Sequence, residues 1–250
     1  MREPVMRTAG VDLAAGNKRT ALAVIEWNPQ GARVEQLTLN VDDAEIVRVA
    51  QQVAKVGIDC ALGWPDEFVS FVSAHAKLTH AEPVDGGMEW RRTLAYRETD
   101  RHVRLQTGRW PLSVSTDRLG LTAMRCAGLL GRLASSGLIV DRSGSRGVVV
   151  EVYPGATLRC WEWDLTDYRV NPAVRRTLIQ QMEREAPWID FGSHAELMVT
   201  SGDAFDAVLA AFTARAAARG LCIPPPVEHR LRAEREGWIA LPSCGLGALL

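Results

Sequence analysis

The sequence predicts an α/β protein with a mixed sheet, in which an antiparallel three-strand meander and parallel strands are flanked by helices. The first observation is a series of short apolar runs, at residues 5–13, 21–27 and 34–39, separated by turn residues. The second is that segments with helical spacing of apolar residues alternate with further strand-like runs, which predicts crossovers between parallel strands. The third is that the strand-like runs at 5–13, 56–63 and 147–155 each carry one acid among apolar residues.

Composition bounds the architecture and excludes some classes of protein. The chain has 250 residues, of which 47% are hydrophobic, and a formal net charge of -1. We therefore expect a single domain over residues 1–250, with a helical insertion at about 66–147. The near-neutral charge excludes a global basic field, so any nucleic-acid site must be a local patch. No apolar run reaches about 18 residues, so no membrane span is expected.

The cysteines and the start of the chain indicate a cytoplasmic protein. The cysteines are scattered and odd in number, without a CxxC pair, which predicts reduced thiols and argues against a zinc ribbon or a disulfide framework. The first eight residues are mixed in character and lead into a strand, so no signal peptide is expected. The oligomeric state is left open by the sequence.

The apolar run Gly10–Ala14 carries Asp12 in its middle, and a second apolar run follows at residues 20–25. A carboxylate on a buried strand is unfavourable by several kcal/mol unless a metal ion, a cation or N–H donors compensate it. Asp12 is therefore a functional-site candidate. The alternative is that Asp12 is a turn residue whose side chain caps the loop at residues 14–18.

A second acid follows the first predicted crossover. A helix is predicted at residues 42–54, with Asp42 as a candidate N-cap and with apolar residues at helical spacing. The apolar run Val56–Gly63 then predicts a strand that returns to the sheet beside the first one. Asp59 would lie on this strand as a neighbour of Asp12. The alternative is that Asp59 ends the strand and bonds to a nearby loop.

The expected insertion is helical and locally basic. Helices are predicted at residues 67–78 and 119–133, and the segment Trp90–Pro111 between them is dense in arginine. Its arginines are Arg91, Arg92, Arg97, Arg101, Arg104 and Arg109, interleaved with Tyr96, His102 and Trp110. Arginine forks suit phosphate groups and aromatic rings can stack on bases. The alternative is a solvated, salt-bridged helical face.

A third strand-like run, Gly147–Gly155, carries Glu151 and is ended by proline. Glu151 either faces the same cleft as the other acids or pairs with an arginine of the insertion. The tryptophans Trp161 and Trp163 follow, and packing is the commoner role of such a pair. A helix with a charged face is predicted at residues 171–185.

The last acid-bearing segment is a helix predicted from Ser201 to Phe212. A spacing of three places Asp203 and Asp206 on one face of this helix. Capping is the alternative role for Asp203, because it lies near the helix start. Asp206 lies deeper in the helix among small and apolar residues, which indicates an acid aimed at a partner within the protein.

These acids could converge, since Asp12 and Asp59 fall on adjacent strands and Asp203 and Asp206 on the last helix. Clustered carboxylates repel each other and cannot all stay ionised unaided. Mg²⁺ or Mn²⁺ would relieve the repulsion, and two such ions about 3.5–4 Å apart can activate a water and stabilise the leaving oxygen of a phosphodiester. The motifs GxxxxGK[ST], GxSxG, HExxH and a post-strand GxGxxG, which would indicate other chemistries, are absent.

The order of these pieces resembles the ribonuclease H-like fold, and the pattern Asp203-x-x-Asp206-Ala resembles the last-helix motif of Holliday-junction resolvases in that superfamily. More closely, nearly the whole chain resembles an uncharacterised family of predicted ribonuclease H-like nucleases. The matching pieces are Gly10–Ala14, Gly57–Pro65, Arg97–Asp100, Val150–Pro154, Asp203–Ala207 and Glu236–Ile239. Each piece is weak alone, and their order together is fairly specific. One departure is that nucleases of the superfamily commonly carry a glutamate where this chain has Asp59 or no obvious acid.

The resemblance implies a Mg²⁺- or Mn²⁺-dependent nuclease that acts on DNA or RNA. Asp12 would bridge two metal ions, and Asp59 and Asp206 would each hold one. Asp203 and Glu151 would complete or tune the catalytic site.

The insertion would bind the nucleic acid. Arg97, Asp100 and Arg101 are the residues expected to face the substrate there, with Arg97 on a phosphate. Two other functions stay open: a non-enzymatic binding module that uses the arginine-rich insertion, and an actin- or sugar-kinase-like phosphotransferase. The second is less expected, because the chain is short for two such domains and lacks glycine-rich phosphate loops.

Overall fold

The computed structural model describes residues 5–79, 86–164 and 166–250. Within these ranges six strands form one sheet: β1 (Met6–Asp12), β2 (Ala21–Asn28), β3 (Gly31–Leu39), β4 (Lys55–Asp59), β5 (Val149–Glu151) and β6 (Ile189–Asp190). Their order across the sheet is β5-β4-β1-β2-β3-β6.

The pairing of the strands confirms the predicted mixed sheet. β1, β2 and β3 form the antiparallel meander, while β4 is parallel to β1 and β5 is parallel to β4. β6 is parallel to β3 at the opposite edge. The parallel strands β1 and β4 therefore lie next to each other near the middle of the sheet.

The helices of the described residues cover both faces of this sheet. They are α1 (Asp43–Ala50), α2 (Asp66–Ala76), α3 (Gly87–Ala95), α4 (Glu98–Thr107), α5 (Gly120–Ser135), α6 (Pro154–Cys160), α7 (Pro172–Glu185), α8 (Ala195–Thr200), α9 (Gly202–Ala218) and α10 (Arg230–Glu236). Asp42 caps α1 as predicted, because its carboxylate accepts from the N–H of Glu45 at 2.9 Å. None of these helices is long and apolar enough to cross a bilayer.

Several predicted elements differ in extent. β4 stops at Asp59, although the apolar run continues to Gly63. Beyond it, the N–H of Cys60 donates to the carbonyl oxygen of Ile58 at 2.9 Å and the N–H of Leu62 donates to the Glu151 carboxylate at 3.0 Å, so neither bonds to the backbone of a neighbouring strand. The arginine-rich segment forms two helices, α3 and α4, between β4 and β5. β6 was not predicted, because a strand of only two residues leaves no periodic pattern.

The alternation of side chains along β2 divides the core into two layers. Ile25 and Trp27 point to the layer that contains α9, and Leu22 and Val24 point to the layer that contains α1 and α5. Trp161 and Trp163, whose role the sequence left open, are buried in the α9 layer and pack in its core.

Candidate active site

A glycine followed two residues later by an aspartate ends both central parallel strands. In the register of the sheet, Gly10 of β1 lies opposite Gly57 of β4, and Asp12 lies opposite Asp59. Because alternate residues of a strand point to the same face, each aspartate shares a face with its glycine. The predicted adjacency of Asp12 and Asp59 is thus confirmed.

The two glycines allow α9 to lie directly on that face. A Cβ atom on Gly10 would lie 2.1 Å from the carbonyl oxygen of Ala207, and one on Gly57 would lie 2.5 Å from that of Ala210. Neither distance is sterically possible, so these positions need glycine. The close approach holds Asp206, which precedes Ala207, against the strand ends that carry Asp12 and Asp59.

The first turn of α9 assigns different roles to its polar residues. Ser201 is the N-cap, since its hydroxyl accepts from the N–H of Ala204 at 3.2 Å. Asp203 instead forms an ion pair with Arg19, at 3.3 Å. Asp206 is completely buried, and neither of its carboxylate oxygens has a hydrogen-bond partner among the described residues.

A cavity of about 270 Å³ lies beside these acids, and we call it the acidic cavity. Its lining includes Asp12 and Asp59, the predicted residues Glu151 and Arg97, and Pro111, Leu112 and Leu119 of the segment between β4 and β5. Tyr153 and Arg169 complete the wall near the acids. A volume of this size is close to the lower end of small-molecule sites, and it suits a phosphate group with its immediate neighbours.

The acids of the cavity are held in a setting that disfavours their charged forms. Burial raises the pKa of Asp12 to about 9, with further contributions from the charges of Asp59 and Asp206. Burial and the neighbouring Asp206 raise the pKa of Asp59 to about 8. Burial also raises the pKa of Asp206 to about 6, against the opposing charge of Arg169. The result is a set of neighbouring acids whose neutral forms are favoured.

Arg169 is the cationic residue that contacts two of these acids. Its Nη2 atom lies 3.1 Å from Oδ2 of Asp206 and 3.7 Å from Oδ2 of Asp12. The contact with Asp206 is an ion pair without hydrogen-bond geometry. The side chain of Arg169 is 50% exposed, so half of its surface contacts solvent while its guanidinium group reaches the acids.

Glu151 is paired with an arginine of the insertion. It ends β5 and is buried, and it forms an ion pair with Arg97 at 2.7 Å. Glu151 also lines the acidic cavity, so the geometry displays both roles considered for it: it faces the same cleft as Asp12 and Asp59, and it pairs with an arginine of the insertion. Burial raises the pKa of Glu151, and Arg97 opposes this rise.

Arg97 has no free donor in this arrangement. Its Nη1 donates to Glu151 at 2.9 Å and to the carbonyl oxygen of Glu236 at 3.0 Å. Its Nη2 donates to Asp100 at 2.8 Å and to Glu151 at 2.7 Å, and its Nε donates to Asp100 at 3.2 Å. Arg97 and Asp100 therefore tie α4 to β5 and to the end of α10.

Arg101 lies apart from the cavity lining. It forms an ion pair with Glu98 at 3.5 Å and donates to the carbonyl oxygen of Arg92 at 3.3 Å. Across the described ranges, no three or more His, Cys, Asp or Glu side chains form a group that could hold a metal ion.

Two residues of the cavity, Tyr153 and Arg169, were not among the predicted site residues. Tyr153 lies two residues after Glu151, the last residue of β5, so the strand that carries Glu151 was a usable signal for it. Arg169 lies in a turn segment between α6 and α7 that has no periodic pattern, and only the folded chain brings it to Asp12 and Asp206.

Comparison with known proteins gives one match. A family model described as "Protein of unknown function (DUF429)" matches residues 10–229, a range that includes Asp12, Asp59 and Asp206. No curated protein was found to match the chain, and no solved structure was found to match it.

Proposed function

We propose that this chain, which belongs to the DUF429 family, is a divalent-cation-dependent nuclease that hydrolyses phosphodiester bonds of DNA or RNA. The observation that carries the proposal is the convergence of three carboxylates, Asp12, Asp59 and Asp206, each with a raised pKa. Separate elements hold these residues in place, so their meeting is a property of the fold. Raised pKa values of this kind cluster at functional sites.

A ribonuclease H-like fold is the finer description that we propose for the sheet and its helices. Its support is the antiparallel meander of β1, β2 and β3, the parallel strand β4 beside β1, and the acid-bearing helix α9 over both. This likeness supports the chemistry only by analogy, so the side chains have to carry the argument.

The donor chemistry of the site fits Mg²⁺ or Mn²⁺. Carboxylate oxygens are the ligands that hard divalent cations prefer, and both oxygens of Asp206 are buried without a hydrogen-bond partner in the described part of the chain. Asp12, Asp59 and Asp206 would hold the cation, and because the described side chains do not already form a ligand group, these three would have to rearrange around it. When bound, the cation would activate a water and stabilise the leaving oxygen of a phosphodiester.

Arg169 has a double role in this proposal. In the structure it is the positive charge beside Asp12 and Asp206. Because its side chain is half exposed, it can turn away from these acids and bind a phosphate oxygen of the substrate with its planar fork. The same turn would open access to Asp206, which is otherwise buried.

The remaining predicted residues support the site from around it. Glu151, Arg97 and Asp100 act as positioning residues, since their buried ion pairs hold the wall between β4 and β5 against the sheet. Asp203, with Arg19, lies near the entrance on the first turn of α9. We propose that Asp203 tunes the charge around the cation.

The test is a cleavage assay with single- and double-stranded DNA and RNA in Mg²⁺, Mn²⁺ or EDTA. We expect cleavage with either cation, none in EDTA, and a loss of about a hundredfold or more in Asp12→Asn. Asp190→Asn is the matched control, because Asp190 is exposed on β6 at the far edge of the sheet. Cleavage of every substrate by Asp12→Asn at the wild-type rate would refute the assignment.

A non-enzymatic binding module on the same fold is the second candidate, and the contacts of Arg169 favour it. An arginine that neutralises Asp12 and Asp206 would make the site a fixed structural element in that case. Binding of an oligonucleotide without cleavage under any of these conditions would support the module.

A further inference from the structure

Two arginines outside the acidic cavity are left without partners by the fold. In residues 5–79, 86–164 and 166–250, the guanidinium groups of Arg109 and Arg159 form no ion pair and no side-chain hydrogen bond. The Nε atom of Arg159 is moreover buried and lacks any hydrogen-bond partner there. A buried donor without a protein acceptor is unfavourable, so this N–H is available to an acceptor that a bound ligand brings.

Both arginines line one cavity of about 470 Å³, which we call the Arg109–Arg159 cavity. Its wall also contains Trp163, Asp164, Thr166 and Asp167. Trp163 is a buried, rigid wall. The carboxylate of Asp164 accepts from the N–H of Thr166 at 3.0 Å, and neither aspartate lies within ion-pair distance of the two arginines. The positive charges are therefore available to an anion.

The Arg109–Arg159 cavity lies close to the acidic cavity. Tyr153, which lines the acidic cavity, immediately precedes α6, and Arg159 lies near the other end of that helix. Along the segment between β4 and β5, Arg109 lines the Arg109–Arg159 cavity and Pro111, two residues later, lines the acidic cavity. From Tyr153 to Arg159 the chain advances six residues along the helix, or about 9 Å, a distance that a few nucleotides of a polynucleotide strand can span.

We propose that the Arg109–Arg159 cavity is a second phosphate-binding subsite, which holds the backbone of a single-stranded polynucleotide whose scissile phosphate lies at the acidic cavity. This inference rests on the proposed nuclease function and narrows its substrate. A substrate that occupies both cavities must be a polymer with several phosphates. Oligonucleotides are then preferred over small phosphodiesters, and a single strand can follow the path past Tyr153.

The binding test uses a fluorescein-labelled single-stranded DNA of about twelve nucleotides in EDTA, where fluorescence anisotropy reports binding without cleavage. Compared with wild type, the double variant Arg109→Gln/Arg159→Gln should bind about tenfold more weakly. Its salt dependence, as the slope of log K against log salt, should be shallower by about 0.7 per arginine. Arg33→Gln is the matched control, because Arg33 is exposed on β3 and removes the same charge far from both cavities.

The cleavage test compares the same oligonucleotide with bis(4-nitrophenyl) phosphate in Mn²⁺. The preference of the enzyme for the oligonucleotide, as a ratio of kcat/KM values, should fall about tenfold in the double variant, mainly through KM. A double variant that matches Arg33→Gln in affinity, salt slope and substrate preference overturns the subsite, even if the wild type is an active nuclease. A third outcome is that the double variant binds the oligonucleotide more weakly than wild type, while wild type cleaves neither substrate. This outcome supports the subsite and refutes the nuclease function. The single variant Arg109→Gln controls for folding, because Arg109 is exposed. If its melting temperature equals that of wild type, a loss of its oligonucleotide affinity reports binding and not unfolding.

Discussion

Among single residues, the acids of the acidic cavity differ from surface acids in what surrounds them. The hydrogen bond from Arg48 lowers the pKa of Glu45 on α1, which is the ordinary behaviour of a solvated ion pair. Burial raises the pKa of Asp12 instead, to about 9, because Arg169 only partly offsets the lost water and the neighbouring carboxylates. The folded chain thus favours the neutral, protonated form of Asp12.

The raised pKa of Asp12 predicts how the stability of the protein depends on pH. Asp12 has a pKa of about 9 in the folded chain, above its ordinary 3.8, so the folded state binds a proton that the unfolded state releases. Stability from this group is therefore present below about pH 4 and is lost as the pH rises towards 9. Asp12→Asn stays neutral, and in EDTA it should be more stable than wild type at pH 8 by on the order of 1–3 kcal/mol.

Urea unfolding at pH 4, 6 and 8 measures this difference. At pH 4 the variant and the wild type should unfold at nearly the same urea concentration. Asp190→Asn should follow the wild type throughout, since Asp190 is exposed. A gain in Asp12→Asn that is the same at every pH would show that Asp12 does not titrate in this range.

The buried ion pairs of Arg97 make the stability of the protein sensitive to substitution at this position. Arg97 is 2% exposed and bonds two buried carboxylates, Glu151 and Asp100. Arg97→Met keeps the volume and leaves both charges unpaired, which should cost about 3–5 kcal/mol of unfolding free energy. Arg7→Met is the control, because Arg7 is 40% exposed and its pairs with Glu26 and Glu35 should contribute about 0–1 kcal/mol.

Denaturant unfolding of Arg97→Met and Arg7→Met measures the unfolding free energy that each variant loses. If Arg97→Met does not fold, Arg97→Lys restores the charge but not the five donors, and it should fall between Arg97→Met and wild type. Equal losses for Arg97→Met and Arg7→Met would mean that the buried network contributes no more than a surface pair.

At the scale of elements, the contact of α9 with the sheet creates the site. β1 and β4 present glycines to α9, and α9 presents backbone and small side chains to them. The two acids that follow the glycines then meet Asp206 on the helix. A larger side chain at either glycine would separate these elements.

Gly10→Ala tests this contact. The added methyl group would lie 2.1 Å from the carbonyl oxygen of Ala207, so α9 must shift, at a cost of about 1–3 kcal/mol or more. Gly128→Ala in α5 is the matched control, because nothing lies within 4 Å of its new methyl group and alanine favours a helix interior by up to about 1 kcal/mol. We expect thermal melts to move in opposite directions for the two variants, and a Gly10→Ala protein as stable as wild type would contradict the close packing of α9.

The elements also separate what the sequence could predict from what it could not. The meander, the crossover to β4 and the helix that carries Asp206 follow from periodicity, and the parallel pairing of β4 with β1 brought Asp59 beside Asp12 as predicted. The end of β4 did not follow, because the bond from Leu62 to Glu151 joins residues far apart in sequence. The role of Arg169 has the same origin, since its acids lie on β1 and α9 and its own segment has no pattern.

For the whole molecule, the net charge of -1 conceals a separation of charge. Asp12 and Asp59 line one cavity, with Asp206 buried close to them, and the arginines Arg109 and Arg159 line the next. Composition alone averages these two regions to near neutrality. A molecule of this kind would attract a polyanion locally while it repels one elsewhere, so its affinity should depend on salt through a few contacts.

The response of the whole fold to a divalent cation follows from the same separation. A cation that binds only the folded state stabilises it by mass action, by about 2.7 kcal/mol at 100 times its Kd. Protons compete for the acids below pKa values of about 9, 8 and 6, so Mn²⁺ should raise the melting temperature more at pH 8 than at pH 5.

Asp12→Asn should lose most of this Mn²⁺-dependent rise in melting temperature. Arg169→Gln should reach it at a lower Mn²⁺ concentration, because Arg169 no longer competes for Asp206. Differential scanning fluorimetry with Asp190→Asn as control measures all three, and equal shifts in Asp12→Asn and wild type would place the cation elsewhere.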